Sequence, residues 1–183
     1  MRYSKTKSEQ TRRSVLDAAA IRFREEGFAG VGVNAIASAA EVTSGAIYSQ
    51  FGSKGALFDE IVDEGMQRFI SGLERFKERG DKDWLAQFIA YYLGTEHVGN
   101  VGGGCGLPTL SVDVARAGEG AQAVYMERIL DAVNIVSDDD RDRRATLLLL
   151  ASLLGGVILA RATNDEHVRE DLLAAVSDLV KGS

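Results

Sequence analysis

A single proline, Pro108, stands in 183 residues, and neither Asn-Gly nor Asp-Gly occurs anywhere in the chain. Proline inside a helix removes a hydrogen bond and clashes with the preceding turn. Asn-Gly and Asp-Gly between apolar runs are the strongest short-range hairpin signals. A chain with almost none of these, and with apolar residues recurring three and four apart, is free to be helical nearly throughout. The breaks that remain are glycines. They cluster in one stretch, GTEHVGNVGGGCGL at residues 94–107, which reads as a loop because glycine weakens both helix and strand.

The periodicity predicts a first amphipathic helix from Thr11, with Val15, Leu16, Ala19, Ala20 and Phe23 inward and Gly27 as its left-handed end. Two short helices follow. One carries Val33, Ile36, Ala37 and Ala40 on one face; the other, from Ser44, carries Ile47 and Phe51. Glu41 and Val42 form the turn between them. Ser53 caps a long helix from Lys54, striped by Phe58, Val62, Met66, Phe69, Leu73 and Phe76 and ended by Gly80. A further helix places Leu85, Phe88, Ile89 and Tyr92 inward. Pro108 suits the first turn of the helix after the glycine loop. Helices over 119–136, from Asp138-Asp139-Asp140 through Arg161, and over 165–181 complete the chain. The expectation is an all-α fold of about nine helices.

Charge is unevenly placed. The chain carries 21 Lys and Arg against 27 Asp and Glu, a net charge of −6. Residues 1–54 hold eight basic and five acidic side chains, a net +3, so the remainder carries −9. A basic end on an acidic body raises the expectation of an anionic partner at that end, with Lys5, Lys7, Arg12 and Arg13 adding sequence-independent attraction.

Other classes lose support. Cys105 is the single cysteine, so no internal disulfide is expected and a reducing, cytoplasmic setting fits. Only His97 and His167 could join it as soft ligands, and their spacing forms no metal site. The longest uncharged run, residues 145–160, falls short of the roughly 20 apolar residues of a membrane span and reads as a buried helix. The basic N-terminus has no apolar run behind it, so it does not read as a secretory signal. No nucleophile elbow, dinucleotide fingerprint or phosphate loop is present, so no enzyme and no cofactor is expected. Two alternatives stay open here: a cysteine enzyme using Cys105 and His97, and a helical adaptor that binds only protein.

Residues 27–61 carry a dense motif: Gly27, Phe28, Val33, Ile36, Ala37, Ala40, Val42, Gly45, Ile47, Tyr48, Phe51, Lys54 and Leu57 at fixed spacing. This stretch resembles the helix-turn-helix region of the TetR family of transcriptional repressors. Two positions depart from that family's pattern. Gly32 stands near the start of the second helix where Thr or Ser is usual, and Glu41 replaces the turn glycine.

The resemblance implies a DNA-binding domain over 1–54 and a helical ligand-binding and dimerisation domain over 55–183. It implies a recognition helix over 43–50. Thr43, Ser44, Ala46, Ser49 and Gln50 would face DNA, and Gly45 would let the backbone approach it. Gln50 can pair with adenine and Ala46 can touch a thymine methyl. Tyr48 and Lys54 correspond to phosphate contacts, and Asn34 to a base or phosphate contact. Phe69, Trp84, Phe88, Tyr91, Tyr92, Cys105 and Tyr125 are the candidates for lining an effector pocket. Leu150, Leu153, Leu154, Val157, Leu172, Val176 and Leu179 are the candidates for a homodimer interface. The implied function is a dimer on a pseudo-palindromic double-stranded operator, released by a small molecule. Cys105, at a helix N-terminus, leaves an alternative in which the regulator senses oxidants or electrophiles through its thiol.

Overall fold

The computed structural model describes residues 2–137 and 142–181, and within them the side chains of 7–137 and 142–180. The acidic start signal Asp138-Asp139-Asp140 and the side chain of Lys5 therefore lie outside the described residues. Ten helices and no strands are present among the described residues: α1 Arg2–Gly30, α2 Val33–Ala39, α3 Ser44–Phe51, α4 Lys54–Glu78, α5 Trp84–Tyr92, α6 Thr95–Gly99, α7 Leu107–Ala117, α8 Glu119–Val136, α9 Arg143–Ala162 and α10 Glu166–Lys181.

Two elements differ from the sequence expectation. The first helix begins at Arg2 rather than Thr11. Residues 2–10 hold no Gly or Pro and several good helix formers, so the helix propagates outward from its packed turns. The tenth helix is α6, a five-residue piece inside the stretch read as a glycine loop. It is held from outside: Arg161 Nε donates to Val98 O at 2.9 Å and Nη2 to His97 O at 3.2 Å.

The amphipathic patterns explain the packing. α4 buries Leu57, Phe58, Ile61, Val62, Met66, Phe69 and Leu73 and forms the axis of the molecule. It lies against α1 at its start and against α5, α7 and α8 along its length. A ring cluster joins α1 to α4: Phe58 meets Phe28 at 4.7 Å and Phe23 edge-on at 5.4 Å between centroids. Such pairs add about 0.5–1.5 kcal/mol beyond the area they bury. Arg128 of α8 donates to Asp63 of α4 at 2.8 Å and fixes their register.

α1 breaks at Gly27, whose φ of 77° is the left-handed conformation a side chain resists. The freed amide of Phe28 donates to Asp113 Oδ2 at 2.8 Å, so the break is seated on α7. A Cβ at Gly27 would come within 3.3 Å of the same carboxylate.

α9 and α10 fold back on each other across a three-residue link. Gly156 faces α10, where a Cβ would meet Val176 at 3.1 Å; at Gly155 nothing lies within 4 Å. α9 is long and apolar enough to cross a membrane by length and composition, a property that core helices share. Its inner face buries Leu149, Leu150, Leu153, Val157 and Ala160 in the common core.

The structure therefore places several interface candidates inside the protomer. Leu150, Leu153 and Val157 are buried within one copy, and Leu154, Leu172 and Val176 are half-buried against the same core. Leu179 alone of that set is exposed. The open apolar stripe is instead Leu147, Leu148, Ile158 and Leu159 on α9, with Val168 and Leu179 on α10.

Candidate nucleic-acid interface and ligand cavity

α3 is a short helix made rigid by its base. Ile47 and Phe51, four residues apart, are buried beneath it. Thr43 caps its start, its Oγ1 accepting from Ala46 N at 3.2 Å, and Gly52, at φ 76°, ends it. α2 packs against it through Ile36 and Ala37 and starts at Gly32 with no side-chain cap. Asn34 and Ser44 join the two helices, Ser44 Oγ donating to Asn34 Oδ1 at 2.6 Å. Glu41, in the turn between them, is the one non-glycine residue at positive φ among the described residues, at 56°.

Burial beneath α3 leaves its other face outward. Thr43, Gly45, Tyr48 and Ser49 are exposed, Tyr48 at 52%. Ser44, Ala46 and Gln50 are half-buried, and Asn34 and Lys7 are exposed. Gly45 has room about it, since a Cβ there would meet only Thr43 Oγ1 at 3.8 Å.

Three basic candidates are engaged within the protein. Arg12 donates through Nη1 to Gln50 O at 3.2 Å, pairs with Glu60 of α4, and covers the Phe51 ring at 4.4 Å. It thus pins the C-terminal end of α3 to α1 and α4. Arg13 is held by Asp17 and by Glu64 at 2.9 Å. Lys54 Nζ lies 4.4 Å over the Phe28 ring, a cation–π contact that also orients its charge.

A second feature lies between α4, α5 and the 94–107 segment: a cavity of about 330 Å³. Phe69, Phe88, Tyr91, Tyr92 and Cys105 line it, as expected of the aromatic region. Trp84 and Tyr125 lie outside it. Trp84 sits 5.9 Å from Lys77 Nζ, and the Tyr125 hydroxyl bonds Ser111 Oγ at 2.8 Å. Sequence reasoning missed Arg24, Arg68, Arg75, Gly65, Gly72, Glu96, His97 and Asn100, which also line it. Gly65 is buried in α4 with nothing within 4 Å of its Cβ position, so the missing side chain contributes space.

Burial favours the neutral forms of Tyr92, Cys105 and His97. Burial pushes the Tyr92 and Cys105 acids up, and the Tyr92 hydroxyl lies 3.7 Å from Cys105 Sγ. Burial pulls the His97 imidazole below its usual value. Its Nδ1 lies 2.6 Å from Tyr92 O, a backbone acceptor, so the proton sits on Nδ1. For Cys105 burial outweighs the helix N-terminus, whose field would favour a thiolate. A protonated thiol is a poor nucleophile, so the thiol-sensing alternative is disfavoured. Among the described residues no group of three or more His, Cys, Asp or Glu is placed to hold a metal.

The α2–turn–α3 arrangement on a helical body has helix-turn-helix geometry. Residues 15–61, from α1 into α4, match the sequence model of the bacterial regulatory proteins, tetR family. The HTH-type transcriptional regulator AcrR of Shigella flexneri is 42% identical over 60 residues, 33% of this chain and 28% of that protein. The A-factor receptor protein of Streptomyces griseus is 44% identical over 55 residues, 30% of this chain and 20% of that protein. The chain thus spans less than a third of the length of these relatives. Solved structures are similar over nearly the whole chain. A TetR transcriptional regulator from Chloroflexus aurantiacus aligns with TM-score 0.78 and 21% identity over 96% of both chains. The reduced form of E. coli NemR aligns with TM-score 0.76 and 21% identity over 92% of this chain and 95% of that one. FadR from Bacillus subtilis in complex with stearoyl-CoA aligns with TM-score 0.66 and 20% identity over 92% and 96%. At those identities the likeness is one of fold. Residues 15–61 therefore resemble the N-terminal region of the bacterial tetR-family regulatory proteins, and the chain as a whole shares the fold of solved TetR regulators.

Proposed function

We propose that the protein is a repressor that binds a pseudo-palindromic operator as a homodimer and is released by a small molecule. The observation that carries this reading is α3: a capped helix locked from below, with Tyr48, Ser49 and Gly45 facing outward. A helix of this kind fits the major groove. Thr43, Ser44, Ala46, Ser49 and Gln50 read base edges, while Tyr48, Lys54, Asn34 and the basic residues near the N-terminus meet phosphate. Thr43 and Ser44 also hold the cap and the α2–α3 link, so their contribution to DNA is partly one of position. Arg12 acts mainly by fixing α3, since its guanidinium is already engaged by Gln50, Glu60 and Phe51.

Residues 1–54 form the DNA-binding unit in this reading and 55–183 the ligand-binding and dimerisation unit. The exposed stripe on α9 and α10 supports the dimer, because apolar side chains so grouped gain by pairing with a second copy. Two α3 helices then meet two half-sites. The cavity beside α4 supports effector binding: a ligand favouring one setting of α4 shifts the population between two spacings of the recognition helices. The place of action is the cytoplasm, on chromosomal DNA.

Selection of bound genomic fragments followed by footprinting tests the reading. A protected inverted repeat is expected, with affinity falling steeply as salt rises. Gln50→Ala is expected to change sequence preference, and Lys54→Ala to weaken all sequences and flatten the salt slope by about one. Binding that ignores salt, or no retained DNA, would reject the reading and favour a protein-binding adaptor.

A further inference from the structure

The cavity is not an apolar hole. Its floor is aromatic, formed by Phe69, Phe88 and Tyr92, with Phe69 edge-on to both rings at 5.7–5.8 Å. Three arginines, Arg24, Arg68 and Arg75, are among its lining residues. Glu96 is the only carboxylate among the described residues that line it, and His97 is neutral.

The arginines have few anionic partners. Arg68 reaches Glu64 at 3.7 Å, and Glu64 is held more closely by Arg13 at 2.9 Å. Arg75 donates Nε to the backbone oxygen of Ser71 at 3.2 Å. Arg24 is only 7% exposed and donates Nε to Gly102 O at 2.6 Å. No carboxylate pairs with Arg24 or Arg75 among the described residues. A buried guanidinium held only by a backbone carbonyl is poorly compensated, and a planar anion would complete it with two parallel hydrogen bonds. Burial and the neighbouring Arg68 charge both depress the Arg24 pKa, which agrees with two cations facing one space.

Arg24 has a second property. It belongs to α1, the helix that carries Arg12 and packs on α2 and α3, yet it reaches the cavity and holds the segment leading into α7. α7 in turn receives the Phe28 amide at the α1 break through Asp113.

We propose that the cavity takes a small carboxylate with a flat or chain-like apolar body, its charge received by Arg24 with Arg68 and Arg75. The apolar body lies on the aromatic floor. The volume falls at the lower end of the roughly 300–1,000 Å³ of small-molecule sites, which limits the body to a compact one. Because Arg24 is part of α1, the ligand's charge acts directly on the seam between the N-terminal helices and α7. This inference rests on the effector reading of the same cavity.

The test compares benzoate, 2-naphthoate and decanoate with their primary amides, which are close in shape and uncharged. Binding is read by calorimetry on the full-length chain, and release by gel shift on the selected operator. For at least one pair the acid is expected to bind at least about tenfold more tightly than the amide. That preference is expected to fall below about threefold in Arg24→Gln and in the double variant Arg68→Gln/Arg75→Gln. The double variant lies on the outer part of α4 and keeps the test sound where Arg24→Gln fails to fold. Amides binding as well as acids, or a preference that survives in the folded variants, would overturn the charge assignment and leave the effector cavity standing. If no compound of either series binds, the effector reading of this cavity falls with it.

Discussion

The outer face of α3 and the cavity beside α4 are the two proposed binding surfaces, and they are built in opposite ways. On α3 two residues four apart, Ile47 and Phe51, are buried, and Gly45, Tyr48 and Ser49 face out as a consequence. The surface is local, defined by one short helix over two apolar contacts. The cavity draws Arg24 from α1, Gly65 and Phe69 from α4, Phe88 from α5 and Cys105 from beyond α6. It exists only where these segments meet and fail to fill the space. The first kind of surface depends on a filled core beneath it, and the second on an unfilled one.

That contrast can be broken by filling or emptying. The largest effect is expected from Ile47→Ala, which empties the base of α3. It should cost about 3 kcal/mol in a urea melt and abolish DNA binding. Near-native stability would mean α3 is held mainly by its cap and by Arg12. Gly65→Leu does the reverse and fills the cavity. It should keep or raise stability, since glycine within a helix costs about 0.5–1 kcal/mol, and should weaken an effector by about tenfold or more while leaving operator affinity intact. An effector that still binds the variant would show that it does not use this space.

Arg12→Ala removes a half-exposed ion pair, a hydrogen bond to Gln50 O and a cation–π contact. About 1 kcal/mol of stability is expected to go, with operator affinity reduced for all sequences. A loss confined to DNA affinity would instead mark Arg12 as a phosphate contact. Glu41→Gly relieves a left-handed residue at φ 56° and removes a carboxylate near the DNA face. It should raise stability by about 0.5–1 kcal/mol, after the entropy of the added glycine, and tighten DNA binding.

The smallest effect is in pH. The folded state holds the His97 imidazole below its usual value, so the unfolded chain takes up that proton first as pH falls. His97 therefore supports stability above about pH 6.5 and loses that support as pH drops below it. Melting temperature against pH should show this slope in the wild type and a flatter one in His97→Gln.

Legibility followed the same divide. The bounds of α2, α3 and α4 were plain in the sequence, because Ile36, Ala37, Ile47 and Phe51 lie at helical spacing and Gly52 and Ser53 stop one helix and start the next. Glu41 was recognisable as a strained turn residue from its place in the motif. The aromatic side of the cavity was legible too, as a stripe on α4 and α5. Its arginines were not, since Arg24 lies in an ordinary charged helix about 80 residues before Cys105 and has no local signal. α9 defeats periodicity for a different reason. It is apolar nearly all round, so nothing in its pattern separates Leu150 and Leu153, which are buried, from Leu148 and Leu159, which are exposed.

The sequence alone determined that the chain is helical, that its first 54 residues carry net +3 beside a body of −9, and which residues carry the DNA-binding motif. These are properties of neighbours three and four apart, or of simple sums. Tertiary structure decided that Arg12 holds α3, that Cys105 is a buried thiol, that Leu148 and Leu159 face outward, and that Arg24 looks into the cavity. Each depends on what a distant segment places against the side chain, because burial and pairing are set by the partner surface rather than by the helix that carries the residue.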